Sequence, residues 1–267
     1  MNCKNIEEIL EEICEAEREC GLLLLEADNI SSVDKGSEKN IVTQYDFNVQ
    51  SMLIARLSAL CPGAHFFCEE MEQPDSLEAD ELFIIDPIDG TMNFKMHMNH
   101  SCISVAYGRQ GEICAAAVYN PFVGEMFSAL KGRGAWLNGK ALHVPAYGLN
   151  DSLFLIGTAP YSPELLGSTL RLAELALKNS LDLRRQGSAE LDLCSVAAGR
   201  AGIYAELYLS LWDYAAGVLI AEEAGAVCLQ IDGSALPYDS SKPSILAGAP
   251  AAVKEFLSLT GDIHFRD

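Results

Sequence analysis

Hydrophobic positions follow two rhythms along this chain. Ile6, Ile9, Leu10, Ile13, Cys20, Leu23 and Leu24 recur at helical spacing among glutamates, which predicts one amphipathic helix over 4–27 with its acidic face in water. Residues 31–40 are polar, contain Gly36 and predict a mobile loop. Ile41, Val42 and Thr43 then lead past Asp46 into a second helical pattern through Val49, Met52, Leu53, Ala55 and Leu60, which Cys61-Pro62-Gly63 ends. The rhythm changes at 64–68, a short apolar run that reaches Glu69-Glu70. After an acidic connection over 71–80, the run Leu82-Phe83-Ile84-Ile85 predicts a buried strand over 81–86 that stops at Asp86. Pro87 cannot donate to a ladder, Gly90 permits a tight path, and a helix can begin at Thr91.

Strands at hairpin spacing follow over 101–108, 112–119 and 124–129, then a glycine-rich turn series over 131–139. Beyond residue 145 strands and helices alternate. Strands are expected at 153–157, 181–185, 203–207, 226–230 and 244–247. Helices are expected at 163–178, up to Ala198, at 214–224 and at 250–259. The chain thus reads as a mixed α+β and α/β protein with two lobes, 1–145 and 146–267, within one overall domain.

Composition narrows the possible partners. Hydrophobic residues make up 49% of 267, enough for a substantial core. Lys and Arg total 18 against 38 Asp and Glu, a formal charge of −20. Such a surface repels nucleic-acid phosphates and anionic lipid, so neither is expected as a partner. An anionic ligand would need positive charge recruited locally, and a divalent metal is the natural source. The nine cysteines include no C-x-x-C pair and several lie in apolar runs, which predicts reduced structural thiols and a cytoplasmic compartment. The stretch from Glu7 onward is too acidic for a signal peptide, and no apolar run is long enough to span a membrane. His97 and His100 lack a third ligand nearby and read as structural.

The candidate chemistry lies in carboxylates at strand ends and helix starts: Asp46, Glu69, Asp86, Asp89 and Asp213. Taken alone, D-x-x-D-G-T is equally a loop whose Asp89 or Thr91 caps a helix. If the carboxylates converge, each like-charged pair at about 4 Å costs roughly 4 kcal/mol at an effective dielectric near 20, and a cation must neutralise them. Mg²⁺ suits hard oxygen ligands, and a pair of such ions can activate water and stabilise both oxygens of a phosphoryl displacement. Backbone N–H groups around Gly90 and Thr91 offer a phosphate seat.

Glu69-Glu70, Asp86-Pro87-Ile88-Asp89-Gly90-Thr91-x-Asn93-Phe94 and Trp212-Asp213-x-Ala215-Ala216-Gly217 with Glu222-Ala224-Gly225, preceded by Lys35 and Val42-Thr43-x-x-Asp46, keep their order and spacing from about residue 35 to 248. Together they resemble the inositol monophosphatase family. The resemblance implies a layered αβαβα sandwich of the inositol monophosphatase and fructose-1,6-bisphosphatase type. It also implies a Mg²⁺-dependent, Li⁺-inhibited phosphatase, homodimeric as is common in the family, acting on myo-inositol 1-phosphate or a similar small polyol phosphate.

Carried over by position, Glu69, Asp86 and the Ile88 carbonyl would hold one Mg²⁺. Asp86, Asp89 and Asp213 would hold a second, with a third and weaker ion at Glu69. Thr91, with Asp46, would orient and deprotonate the attacking water, and Lys35 would belong to a loop closing over the site. Asp89, Gly90, Thr91, Gly187, Ser188, Ala189, Glu206 and Asp213 would face the substrate. Met92 and the apolar Leu207–Leu211 stretch depart from the family pattern, and Arg184 and Arg185 are open to an ion pair within the fold or a contact to a second phosphate. The same resemblance admits phosphatases for fructose 1,6-bisphosphate, 3′-phosphoadenosine 5′-phosphate or histidinol phosphate. A different class, a protein-binding regulator of transcription complexes, is the remaining alternative.

Overall fold

The computed structural model describes residues 5–37 and 40–260. Helices α1 (Ile6–Leu25) and α2 (Gln44–Leu60) form the first layer. Between them, β1 (Ser32–Ser37) and β2 (Asn40–Thr43) pair antiparallel with Val33 opposite Val42 and Asp34 opposite Ile41. The loop expected over 31–40 is therefore, in its described part, one arm of a hairpin. Its β-branched residues set the register across a stretch that composition alone marks as flexible.

The second layer is a sheet of seven strands in chain order: β3 (His65–Cys68), β4 (Glu81–Asp89), β5 (Cys102–Arg109), β6 (Glu112–Asn120), β7 (Glu125–Leu130), β8 (Gly134–Leu137) and β9 (Lys140–Ala141). Only β3 and β4 are parallel. The glycine-rich series expected to be turns thus contains β8 and begins to turn again before β9, because its glycines bend a ladder that the neighbouring β7 continues to pair. Strand β4 alternates faces. Phe83 and Ile85 pack with α1 and α2, while Leu82 and Ile84 enter the core on the other side. Burial on both faces explains its unbroken apolar run.

Helix α3 (Thr91–Lys95) is a short turn after β4. Helices α5 (Ala189–Ala197) and α6 (Ala215–Glu223) fill the third layer, between the two sheets. Every residue from Ala215 to Ala221 is buried, as a helix enclosed on all sides requires. The fourth layer has five strands, β10 (Leu153–Ile156), β11 (Asp182–Arg184), β12 (Ile203–Glu206), β13 (Val227–Leu229) and β14 (Ile245–Gly248), in the order β11-β10-β12-β14-β13. Helices α4 (Leu166–Asn179) and α7 (Pro250–Thr260) cover its outer face through Leu172, Ala176, Val253 and Phe256. The result is the αβαβα sandwich that the motifs implied.

One expectation fails at the position that matters most. Strand β4 does not end at Asp86; it continues to Asp89. Asp86 faces Ser104 and Asp89 faces Cys102, so three residues on β4 span two on β5. This bulge absorbs Pro87, whose missing donor costs nothing where the ladder is already interrupted. Every described cysteine is a free thiol, all but Cys114 buried. Among the described residues no helix is long and apolar enough to cross a membrane.

Glu17 is an anomaly in the core beneath α1. It is 0% exposed, neither carboxylate oxygen has a hydrogen-bond partner among the described residues, and burial, with Glu190 adding repulsion, pushes its pKa well above the usual range. A raised folded pKa means that its contribution is fully present below the ordinary carboxylate range and is lost as pH rises. We expect Glu17→Leu to raise stability by about 1–3 kcal/mol near neutral pH, since it removes an unsatisfied buried acid at similar volume. A denaturant titration in which the variant unfolds earlier than wild type would reject this.

Candidate active site

The bulge in β4 does more than accommodate a proline. In a regular strand, residues three apart face opposite sides. The extra residue brings Asp86 and Asp89 to the same side, toward a cleft of about 860 Å³ between the two sheets' ends. Lys35, Glu69, Asp86, Ile88, Asp89, Gly90, Thr91, Gly187, Ser188, Ala189, Glu206 and Asp213 all line this cleft. Of the expected site residues only Asp46 does not. It lies fully buried behind Thr91, as the third residue of α2.

Each acidic group is anchored by its own element. Asp46 Oδ2 accepts from Thr43 N at 2.8 Å and Thr43 Oγ1 at 2.5 Å, a capping box that opens α2. Asp46 thus caps α2, and its other oxygen lies 3.4 Å from Thr91 Oγ1. Thr91 Oγ1 also lies 3.0 Å from the Ile88 carbonyl oxygen. Asp86 Oδ1 accepts from Ile88 N at 2.9 Å. Asp89 Oδ2 accepts from Ser188 Oγ at 2.6 Å and Glu190 N at 2.7 Å, which ties β4 to the start of α5. Asp213 Oδ2 accepts from Ser210 N at 2.7 Å at the end of a short 3₁₀ turn, Leu211–Asp213. Asp86 Oδ2 and Asp213 Oδ1 accept no hydrogen bond among the described residues. Lys35 Nζ donates to Glu69 Oε1 at 2.9 Å and also to Glu70 Oε1.

Crowded acids in a cleft titrate late. Burial, then Glu69, Asp89 and Asp213, hold Asp86 well above the carboxylate range, and burial with Glu69 and Asp89 does the same to Asp213. Burial pushes Asp46 and Asp89 up to about 6, and burial with Glu69 pushes Glu70 up to about 7. Burial opposes charge on Lys35, yet Glu69 and Glu70 raise its pKa above the ordinary value. Among the described residues no three His, Cys, Asp or Glu side chains are drawn in closely enough to hold a metal ion as they stand. The donor set nevertheless suits a hard divalent cation. It comprises carboxylates and a backbone carbonyl, spare oxygens on Asp86 and Asp213, and mutual repulsion that such an ion would relieve.

On the opposite wall, Glu206 Oε1 accepts from Ala159 N at 3.1 Å and Oε2 from Tyr204 OH at 2.8 Å. A β-carbon on Gly157 would fall inside the Glu206 carboxylate. Gly157→Ala should therefore displace Glu206, and if Glu206 contacts the substrate as the resemblance implies, KM should rise about tenfold or more with a smaller change in kcat. Steady-state kinetics showing an unchanged KM would exclude that role for Glu206.

Sequence reasoning overlooked several positions. Asn93 Nδ2 donates to the carbonyls of His100 at 2.7 Å and Gln186 at 2.8 Å, holding α3 against the segment that precedes α5. It lies inside the D-x-x-D-G-T-x-N-F motif, so the signal was present but had no assigned job. Tyr161, Tyr208 and Lys242 also line the cleft and had no motif to mark them. Neither His97 nor His100 lines this cleft. Of the apolar 207–211 stretch, Leu207 and Leu211 are core residues, Leu209 is buried and also borders the cleft, and Tyr208 and Ser210 line the cleft.

Comparison with known proteins agrees with this geometry. A model of the inositol monophosphatase family matches residues 5–262. The chain is 33% identical over 232 residues to the Nus factor SuhB of Vibrio cholerae, covering 86% of each. It is 36% identical over 208 residues to an inositol-1-monophosphatase of Rhizobium meliloti, covering 78% of this chain and 77% of that one. The solved structure of the extragenic suppressor protein suhB from Bartonella henselae superposes with a TM-score of 0.89 at 30% identity, over 96% of this chain and 100% of the other. With a family model spanning nearly its whole length and the family's acidic motifs gathered in one cleft, this chain belongs to the inositol monophosphatase family.

Proposed function

We propose that this chain is a Mg²⁺-dependent, Li⁺-inhibited phosphomonoesterase that hydrolyses myo-inositol 1-phosphate or a related small polyol phosphate. The observation that carries the reading is the bulge in β4, which turns Asp86 and Asp89 toward Asp213 and Glu69 in one cleft beside Gly90 and Thr91. Glu69, Asp86 and the Ile88 carbonyl would hold one ion, Asp86, Asp89 and Asp213 would hold a second, and Glu69 would serve a third. When bound, these ions lower the pKa of water and neutralise charge developing on the phosphoryl oxygens.

The protein's own groups do the rest. Thr91 Oγ1 takes a proton from the attacking water as its own proton passes to Asp46 Oδ1, a carboxylate whose pKa near 6 suits a base at neutral pH. Gly90 and Thr91 N–H groups hold the phosphate. Glu206, Gly187, Ser188 and Ala189 meet the polyol, and Lys35 closes over Glu69.

A panel of inositol 1-phosphate, fructose 1,6-bisphosphate, 3′-phosphoadenosine 5′-phosphate, histidinol phosphate and p-nitrophenyl phosphate, with and without Mg²⁺ and Li⁺, tests this. Inositol 1-phosphate turned over no faster than p-nitrophenyl phosphate while another compound is strongly preferred would remove the substrate assignment. The relative called a Nus factor favours a second reading, a regulator that binds protein partners. A growth phenotype that persists when Asp89 is replaced would support it.

The reading extends to organisation. The two sheets centre two lobes, 1–145 and 146–267, and the protein acts as a cytoplasmic homodimer. A stripe of leucines on α4 supports a second copy as partner: Leu166, Leu170 and Leu177 are 60%, 61% and 60% exposed. Leu170→Glu with Leu177→Glu should yield a folded monomer by sedimentation, and an unchanged dimer would place the contact elsewhere.

A further inference from the structure

One buried acid touches the frame of the site on two sides and has no part in the hydrolytic reading. Glu190, the second residue of α5, is 0% exposed. Its backbone N–H donates to Asp89 Oδ2 at 2.7 Å. Its carboxylate reaches the other way, to the start of α6: Oε2 accepts from Gly217 N at 2.5 Å and Oε1 from Ala216 N at 3.3 Å. Those N–H groups belong to the first turn of a helix and have no partner within it. Tyr214, the residue in the cap position of α6, offers them no side-chain acceptor. Glu190 thus caps α6 from another helix.

The residue just before that cap position is Asp213. One side chain therefore ties the segment that anchors Asp89 to the helix that follows Asp213. Gly217 confirms how closely the two helices meet. A β-carbon there would lie 2.4 Å from Glu190 Oε2 and 2.7 Å from the Leu193 β-carbon. Glycine weakens a helix interior, and here it makes room for the carboxylate. Glu190 is also held against resistance. Burial, then Asp89 and Asp213, disfavours its charge, and Glu17 on α1 repels it further. An apolar residue of the same size would avoid that cost but could accept neither N–H.

We propose that Glu190 is a positioning residue that braces α5 to α6 and so fixes Asp89 and Asp213 at the spacing that a shared divalent cation requires. Groups that orient ligating carboxylates commonly change metal affinity ten- to a hundredfold when removed. The inference rests on the reading of Asp86, Asp89 and Asp213 as ligands of one ion and names the group that holds two of them in register.

Calorimetric titration of Mg²⁺ into metal-free wild type, Glu190→Gln and Glu190→Leu tests the brace. The relevant binding step is the one that Asp213→Asn removes. Gln drops the charge and keeps a carbonyl for the Gly217 N–H, whereas Leu keeps the volume and accepts nothing. Leu should weaken that step at least about tenfold and Gln by no more than about threefold. The Mg²⁺ concentration giving half-maximal phosphate release from inositol 1-phosphate should follow the same order. Equal weakening by Gln and Leu would assign the effect to charge and overturn the proposal. So would a Leu variant that melts earlier yet binds Mg²⁺ as wild type does, because a helix cap alone predicts that result. Circular dichroism checks folding, and Glu190→Ala, smaller and equally without an acceptor, replaces Leu if the core rejects it. Wild type that binds Mg²⁺ but releases phosphate from no substrate would end the phosphatase reading and leave the brace to the binding data. Wild type that binds no Mg²⁺ would end both.

Discussion

Asp89→Asn is expected to abolish Mg²⁺-dependent phosphate release while leaving the protein folded and no less stable. Asp89 Oδ2 is held by Ser188 Oγ and Glu190 N, both donors, and an asparagine carbonyl can occupy the same place. The amide NH₂ then faces the cleft where a carboxylate oxygen stood. It carries no charge and cannot ligate a cation. The fold loses little because the wild-type acid is under repulsion, with burial and Glu69 raising its pKa to about 6. Activity should fall about a thousandfold, comparable to removing one stabilising group from a developing oxyanion, roughly 4 kcal/mol. Phosphate release at saturating Mg²⁺, with a thermal melt of the same sample, checks both halves. Activity within tenfold of wild type would mean that Asp89 does not serve the metal.

The metal-free protein should lose stability as pH rises from about 5 to 8, and Mg²⁺ should restore it at the upper end. Asp46 and Asp89 are raised from 3.8 to about 6. Because the folded values lie above the unfolded ones, the folded state binds more protons in this window. Stability is therefore fully present below about pH 4 and is lost as pH climbs through 6. A rise of that size corresponds to about 3 kcal/mol per group as an upper bound, since neighbouring acids titrate together. In a domain of this size that is a fall of roughly 10 °C in the melting temperature. Lys35, bonded to Glu69 and Glu70, offsets part of the repulsion without metal. Divalent ions binding only the folded state at about a hundred times their Kd would return about 3 kcal/mol. Melts in chelator and in Mg²⁺ should therefore coincide near pH 5 and separate near pH 8. Parallel curves across the range would show that these acids do not share a cation.

Much of the architecture was legible from residue order. The helical spacing of Ile6 through Leu24 predicted α1 to within two residues at each end, and hairpin spacing after residue 101 predicted β5, β6 and β7. Periodicity works there because one face of each element is buried against a single neighbour. It failed for residues 31–40, where pairing with Asn40–Thr43 rather than local preference makes β1 a strand. It failed again at Asp86, where proline chemistry argues for a stop and a bulge permits continuation. Among the unmarked members of the site, Gly157, Tyr208 and Lys242 each act next to a group far away in the chain, which spacing cannot report, and Tyr204 acts on its near neighbour Glu206 through a hydroxyl that no motif marks.

By itself the sequence determined which acids this protein carries and in what order, that they stand at strand ends and helix starts, and that the surface around them is strongly negative. These are local or additive properties of the chain. Only the tertiary structure decided that Asp86 and Asp89 face the same way, that Asp46 stands behind Thr91 instead of in the cleft, and that Arg185 comes to lie beside Glu206. Direction and proximity depend on one extra residue in a strand and on how two sheets stack across α5 and α6, and both are settled by packing.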